Sequence, residues 1–262
     1  MISTLKWISA GTLVLFASLP HARSQQPGTP AATLHAPLTT EQVVQNLTRM
    51  NLQRAKALHS YEGDRTYRVD YRGFPGNRSA EMNVKVKFVS PNTKDFTVQS
   101  ATGSNLIIER VFKKLLEAER EALAAETQRR SALTEENYRF TLIAYESGPA
   151  SAVYVLDAEP RTKDKFLYRG KVWIDAKDFA VMRLEVQPAK NPSFWTKSAD
   201  IEQVYRKVGD FWLPASNRSV TAIRLGGRAE LTILYKDYKI TKGSELNGSA
   251  TQRSALENNP GR

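Results

Sequence analysis

The chain is expected to fold as a mainly β protein of the α+β kind. The fold is a curled antiparallel sheet of about ten strands forming an incomplete barrel, with two helices against its concave side. Three observations predict this. Between Phe166 and Ile240 apolar and polar residues alternate strand after strand, with short connections. The dipeptides Gly209-Asp210 and Gly226-Gly227 sit where tight hairpins need positive φ angles. Twisted antiparallel sheets this wide do not stay flat, so the sheet must curl and cover its inner face.

Each element follows in order. Thr39 with Gln42 three residues on is a capping box. Val43, Val44, Leu47, Met50, Ala55 and Leu58 recur at helical spacing behind it, ending near His59. Tyr67, Val69 and Tyr71 alternate with Arg68, Asp70 and Arg72 in a first strand, and Gly73-Phe74-Pro75-Gly76-Asn77 turns the chain. Met82, Val84, Val86 and Phe88 alternate with Asn83, Lys85 and Lys87; after Pro91-Asn92, Phe96 and Val98 mark a third strand. Strands polar on one side indicate a sheet with one wet face. A second helix is predicted from Asn105 to Arg130, with Ser104 as its cap. Its first half is apolar (Leu106, Ile107, Ile108, Val111, Phe112, Leu115, Leu116) and its second half charged. The sheet resumes through Tyr138, Phe140, Leu142 and Ala144, then Val153 to Leu156. The hairpin Phe166–Ile174 and Phe179–Val186 follows, turning on Asp175-Ala176-Lys177-Asp178.

The ends read differently. Residues 1–24 have the pattern of a signal peptide: Lys6, an apolar run from Ile8 to Leu19, and small residues at Ala22-Arg23-Ser24, with cleavage expected before Gln25. The run is too short for the roughly 20 residues of a spanning helix. Residues 25–38 form a Pro-, Ala- and Thr-rich tether, residues 39–240 one domain, and residues 241–262 a polar tail expected to be disordered. An exported domain of this length buries an adequate core without disulfides, and the chain contains no cysteine. That excludes thiolate chemistry, a cysteine zinc site and a lipid-modified cysteine. The surplus of Lys and Arg, 38 against 27 acidic residues, falls to nine once Lys6 and Arg23 leave with the leader. Export disfavours nucleic acid as the partner, leaving anionic headgroups, acidic proteins or a plain solvated surface.

Chemistry-bearing patterns are scarce. Of three histidines, His21 and His35 precede the domain and His59 ends a predicted helix, so neither a triad nor a multi-histidine metal site can be assembled. Asp175 and Asp178 share one tight turn, where Asp is a common turn-former. Glu117 and Glu121 have the spacing of a solvated helix face. No Gly-x-Ser-x-Gly elbow or phosphate-cradling loop occurs. The expectation is a protein that holds something: no enzyme, no cofactor and no metal. Phe194, Trp195 and Trp212 either close the end of the core or rim a ligand mouth.

Several stretches carry a family likeness: Lys171-Val172-Trp173-Ile174-Asp175 with Val181-Met182-Arg183, Phe211-Trp212-Leu213-Pro214, and Leu231 to Tyr238. With the leader and the opening amphipathic helix, the chain from Thr39 to Ile240 resembles the periplasmic outer-membrane lipoprotein-sorting (LolA-like) proteins. It is similar too to the related RseB-type sigma-factor regulators. The resemblance implies an open barrel whose concave side takes up lipid acyl chains under helical lids. It also implies a soluble periplasmic carrier of lipids or lipoproteins, working as a monomer with transient inner- or outer-membrane protein partners. The alternative it implies is a regulatory module that senses lipid or lipoprotein and binds an envelope partner. The cavity wall expected on this basis is Val84, Val86, Phe88, Phe96, Val98, Phe140 and Leu142, with Phe112 and Leu115 in the lid. The functional arginine of such carriers corresponds to Arg68, with Arg65 and Arg72 as competitors. The long charged second helix and the polar tail depart from the pattern.

Overall fold

The structure is a computed structural model that describes residues 37–147, 151–190, 196–224 and 226–242. The leader, most of the tether, the tail beyond Lys242 and the aromatic pair Phe194 and Trp195 lie outside the described residues, while Thr241 and Lys242, expected in the tail, belong to the last strand. Ten strands form one sheet in which every neighbouring pair is antiparallel. In chain order they are β1 (Leu58–Arg72), β2 (Arg78–Val89), β3 (Thr93–Gly103), β4 (Tyr138–Ser147), β5 (Ala152–Pro160), β6 (Tyr168–Asp175), β7 (Val181–Pro188), β8 (Thr196–Val208), β9 (Phe211–Ile223) and β10 (Arg228–Lys242). The spatial order is β3-β2-β1-β10-β9-β8-β7-β6-β5-β4, so β3 and β4 are unpaired edges and the sheet does not close.

Register fixes which side chains face inward. One row runs Leu142, Leu156, Val172, Leu184, Gln203, Asn217, Ile233, Tyr67, Met82 across successive strands. A second runs Phe140, Ala158, Gly170, Val186, Ile201, Ser219, Leu231, Val69, Ala80. Most of these side chains are buried, and they line the concave face. The rows stay apolar except at β8 and β9, where Gln203, Asn217 and Ser219 interrupt them. That polar seam divides the concave face into two apolar cores. Gln203 donates to the carbonyls of Val204 and Ser216 beside a register shift, and Asn217 donates to Gln203, so the buried amides serve the sheet.

A helix covers each core. α1 (Thr40–Ala57) opens with the expected capping box: Thr39 N donates to Gln42 Oε1 at 2.9 Å and Gln42 N to Thr39 Oγ1 at 3.3 Å. It buries Val43, Val44 and Leu47 against β4–β8, each contributing about 1.5–3 kcal/mol. Leu142 N donates to Thr40 Oγ1 at one end of α1, and Arg54 donates to the carbonyls of Asp178 and Phe179 at the other. The helix stops at Ala57 and Leu58 already belongs to β1. His59 is therefore a strand residue, not a helix end, its carbonyl accepting from Ser90 N.

The second helix is not the single rod expected from Asn105 to Arg130. It is α2 (Asn105–Ile107), a π-helical stretch (Ile108–Phe112), α3 (Lys113–Glu121) and, after a break, α4 (Ala125–Ser131). Ser104 precedes α2 but makes no side-chain cap. The wider π turn shifts the apolar stripe so that Ile107, Phe112, Leu115 and Leu116 all bury against β1, β2 and β10. No buried residue holds α4.

The hairpin glycines take the expected positive φ, 59° at Gly209 and 83° at Gly226. Asp175 Oδ1 accepts from the amides of Lys177 and Asp178, which makes that aspartate a turn-former. Gly170, at φ +135°, is a packing constraint: a Cβ there would lie 2.3 Å from the Glu185 carbonyl oxygen. Gly170→Ala is expected to cost at least roughly 1–3 kcal/mol from backbone strain, read as a lowered urea midpoint with an unchanged m-value.

Candidate functional site

The two helix-covered halves of the concave face differ in how they are filled. Under α3 the described side chains pack closely. Val84, Val86 and Phe112 are fully buried, Leu115 nearly so, and Phe88 and Phe96 pack against them. Val98, on edge strand β3, is half exposed. Phe140 and Leu142 share the concave face but belong to the other core, on the opposite edge strand. The structure thus brings six of the nine expected cavity residues together as packed core and places two in a separate cluster.

Of the three competing arginines, Arg65 is the one on the concave face, beside Val84 and Tyr235 in register. Arg68 is on the convex face, exposed and paired with Asp70 at 3.0 Å. Arg72 shares that face and is exposed. Arg65 is buried, donating to both carboxylate oxygens of Glu119 on α3 at 2.7 and 2.9 Å and to the Tyr67 hydroxyl at 3.2 Å. Its guanidinium also lies 4.8 Å from the Tyr235 ring centre. Lys94 of β3 reaches the same carboxylate at 2.5 Å. Burial opposes ionisation of Glu119, but Arg65 and then Lys94 outweigh it and pull its carboxyl down to about 2. The same carboxylate holds Arg65 more firmly protonated, against the penalty of its own burial. This trio is the polar clasp between α3 and the sheet.

The α1 half contains space. Between α1 and residues 131–136 runs a groove in three sections that share lining residues. The outermost, about 610 Å³, lies between Val44, Thr48 and Leu52 of α1 and Thr134–Glu136. The middle one, about 380 Å³, passes Leu52, Leu133, Ala180, Val181 and Trp212. The innermost, about 160 Å³, reaches the sheet under Leu133, between Tyr138, Val172, Leu184 and Val186. Tyr205 lines the inner two sections. Leu52, 59% exposed, stands at the mouth. Trp212 is oriented by its indole N–H, which donates to Asp178 at 2.8 Å, and Lys207 binds the same oxygen.

The polar groups at the floor are phenols. Burial pushes Tyr138 and Tyr205 up to about 12 and also raises Tyr168. All three stay neutral at ordinary pH, and Tyr138 accepts from Tyr168 N at 3.3 Å. Such a surface suits a long apolar ligand with a neutral polar end. Among the described residues no group of three or more His, Asp or Glu is placed to hold a metal ion. No described helix is long and apolar enough to cross a membrane.

Leu52, Leu133 and Tyr205 were not among the residues expected from sequence. Leu133 stands alone in an irregular segment, and Leu52 lies on the helix face turned from the core, so neither belongs to a periodic stripe. Lys94 and Glu119 are charged residues in charged stretches, and only the fold shows them meeting.

No family model matches the sequence, and no curated protein does. In fold the chain is similar to solved structures. A DUF1329 family protein from Desulfovibrio piger matches at TM-score 0.39 and 11% identity, over 78% of this chain and 93% of that one. A putative outer membrane lipoprotein-sorting protein domain from Vibrio parahaemolyticus matches at 0.36 and 13%, over 78% and 94%. A LolA superfamily protein from Nitrosomonas europaea matches at 0.32 and 9%, over 78% and 94%.

The clasp predicts a pH dependence. Glu119 titrates below the ordinary 4.5 in the folded state, so its stabilisation is full above about 4.5 and is lost as pH falls toward about 2. Amide protection, taken against the intrinsic exchange rate at each pH, should fall in α3 over that window before it does in α1. Glu119→Gln, which leaves Arg65 and Lys94 uncompensated at a cost of about 3–5 kcal/mol, should remove the dependence and leave α3 exchanging fast at neutral pH.

Proposed function

We propose that this chain is an exported carrier that holds an acyl chain of a lipid or lipoprotein in the groove between α1 and residues 131–136. The observation that carries this reading is the groove itself: three sections that share lining residues, the inner two walled by Leu133, Val181, Leu184 and Val186 and floored by neutral phenols, the outermost polar, with Arg49, Lys56, Glu135 and Glu136. Burying an acyl chain is worth about 0.8 kcal/mol per methylene, so the apolar inner sections can hold a chain without a charged partner. The leader expected at residues 1–24 supports a periplasmic location for such a carrier, and the sequence likeness to lipoprotein-sorting proteins points the same way.

In this reading the packed half is the fixed wall and the α1 half the receiving one. Arg65, through Glu119, is the residue that controls whether α3 stays down. Val84, Val86, Phe88 and Phe96 then act as its seat and do not meet cargo.

A fluorescent fatty acid displaced by unlabelled acyl lipid tests the groove. Leu133→Trp fills its middle and inner sections and should weaken binding by at least about tenfold, while Ile143→Ser, on an exposed edge position, should leave it unchanged. Equal affinity in all three proteins would remove the groove from consideration. Native mass spectrometry of protein taken from its host envelope should show acylated species. An empty protein bound instead to one envelope protein would favour the regulatory reading.

A further inference from the structure

The end of the sheet where β1 turns into β2 carries a feature that the groove does not use. Phe74, at the tip of that hairpin, is 86% exposed. A single exposed apolar residue is ordinary, but this one is braced. Tyr71 donates its hydroxyl to the Phe74 carbonyl at 2.6 Å, and Gly73 N donates to Asn77 Oδ1 at 3.3 Å. The β9–β10 hairpin abuts the tip so closely that a Cβ on Gly73 would lie 2.6 Å from Gly227 Cα. The phenyl ring is therefore held out into solvent on a supported tip.

Cations surround it. Arg72, Arg78, Arg224 and Arg228 are all exposed at this end. No acidic residue occurs in residues 71–80 or 221–229. Arg72 and Arg228 stand directly opposite each other in register, an arrangement of like charges that destabilises a sheet unless an anion intervenes. The nearest carboxylates are shared: Asp70 holds Arg68 at 3.0 Å, and Glu230 holds Arg218 at 2.6 Å through one oxygen while the other pairs loosely with Arg228 at 3.9 Å. Among the described residues neither Arg72 nor Arg78 has a carboxylate partner. A cleft of about 430 Å³ on the convex side is lined by Arg68, Asp70, Arg72, Arg228 and Glu230. The opposite end of the sheet is different, since Lys207 is paired with Asp178, Lys242 with Asp210 and Lys94 with Glu119.

We propose that this end docks on an anionic phospholipid bilayer, with Phe74 entering the apolar boundary and Arg72 and Arg228 gripping a headgroup phosphate between them. The charge complementarity is that of arginine with phosphate, and an aromatic wedge beside arginines is the composition of an interfacial anchor. The proposal goes beyond the acyl-carrier reading and stands independently of it: a protein that holds no acyl chain would still dock.

Co-sedimentation with vesicles of phosphatidylcholine alone, or of phosphatidylcholine with phosphatidylglycerol, tests this. The processed chain, beginning at Gln25, should bind the anionic vesicles, progressively less as salt is raised, and not the neutral ones. Phe74→Ser should weaken binding about tenfold or more, and Arg72→Ser and Arg78→Ser about fivefold each at low salt. All three side chains are exposed, so thermal unfolding and fatty-acid affinity should match the parent, which separates failure of docking from failure of the groove. No sedimentation with anionic vesicles, equal binding to neutral ones, or wild-type binding by the Phe74→Ser protein would each overturn the proposal.

Discussion

An open sheet of ten strands leaves a concave apolar face that a single helix cannot cover, and the rest of the molecule follows from that mismatch. A helix is about 10 Å across with its side chains, whereas ten strands at nearly 5 Å spacing span several times that width before curling. The chain answers with two covers, α1 over β4–β8 and the broken α2–α3 segment over β1, β2 and β10. The polar seam of Gln203, Asn217 and Ser219 lies where neither core needs apolar contact. The groove runs beside α1, between it and residues 131–136, over the sheet half that α1 covers.

The covers are attached by different physics. α1 is pinned by backbone-directed bonds at its ends, from Leu142 to Thr40 and from Arg54 to the β6–β7 turn, with three buried aliphatic residues between. Its other flank faces the groove with Thr48 and Leu52. α3 is seated by Phe112, Leu115 and Leu116 and latched by Glu119 to Arg65 and Lys94. Buried charges of this kind are a poor source of net stability compared with apolar packing. A latch that depends on one carboxylate can nevertheless be released by one perturbation, whereas an apolar seat loosens only gradually. Adaptable covers on a rigid sheet are what a carrier needs if it must both take up and give back a greasy ligand.

Much of this was legible in the amino-acid order. The alternation from Tyr67 to Tyr71 and from Met82 to Phe88 set strands and faces, and Thr39 with Gln42 marked the start of α1. Period-2 burial is written residue by residue, so an open antiparallel sheet could be read directly. The break-up of the second helix could not: no glycine or proline interrupts residues 105–130, and the π turn arises because Phe112 and Leu115 must both reach a curved sheet. The site was less legible than the fold for a related reason. Periodicity identifies residues that fill space, such as Val84 and Val86, whereas a groove is bounded by residues left incompletely packed, such as Leu52 and Leu133. Arg68 and Arg65 differ by three positions in one strand, so the alternation that turns Tyr67 and Val69 inward also turns Arg65 inward and Arg68 outward, and register then sets Arg65 opposite Tyr235 and Val84.

The central claim is that ligand enters the α1 half of the concave face and not the half packed beneath α3. Methyl-resolved NMR of leucine- and valine-labelled protein titrated with a long-chain fatty acid at neutral pH tests it most directly. The account predicts shifts at the methyls of Leu52, Leu133, Val181, Leu184 and Val186, with those of Val84, Val86 and Leu115 unmoved. Shifts at Val84, Val86 and Leu115 with Leu133 unmoved would contradict it.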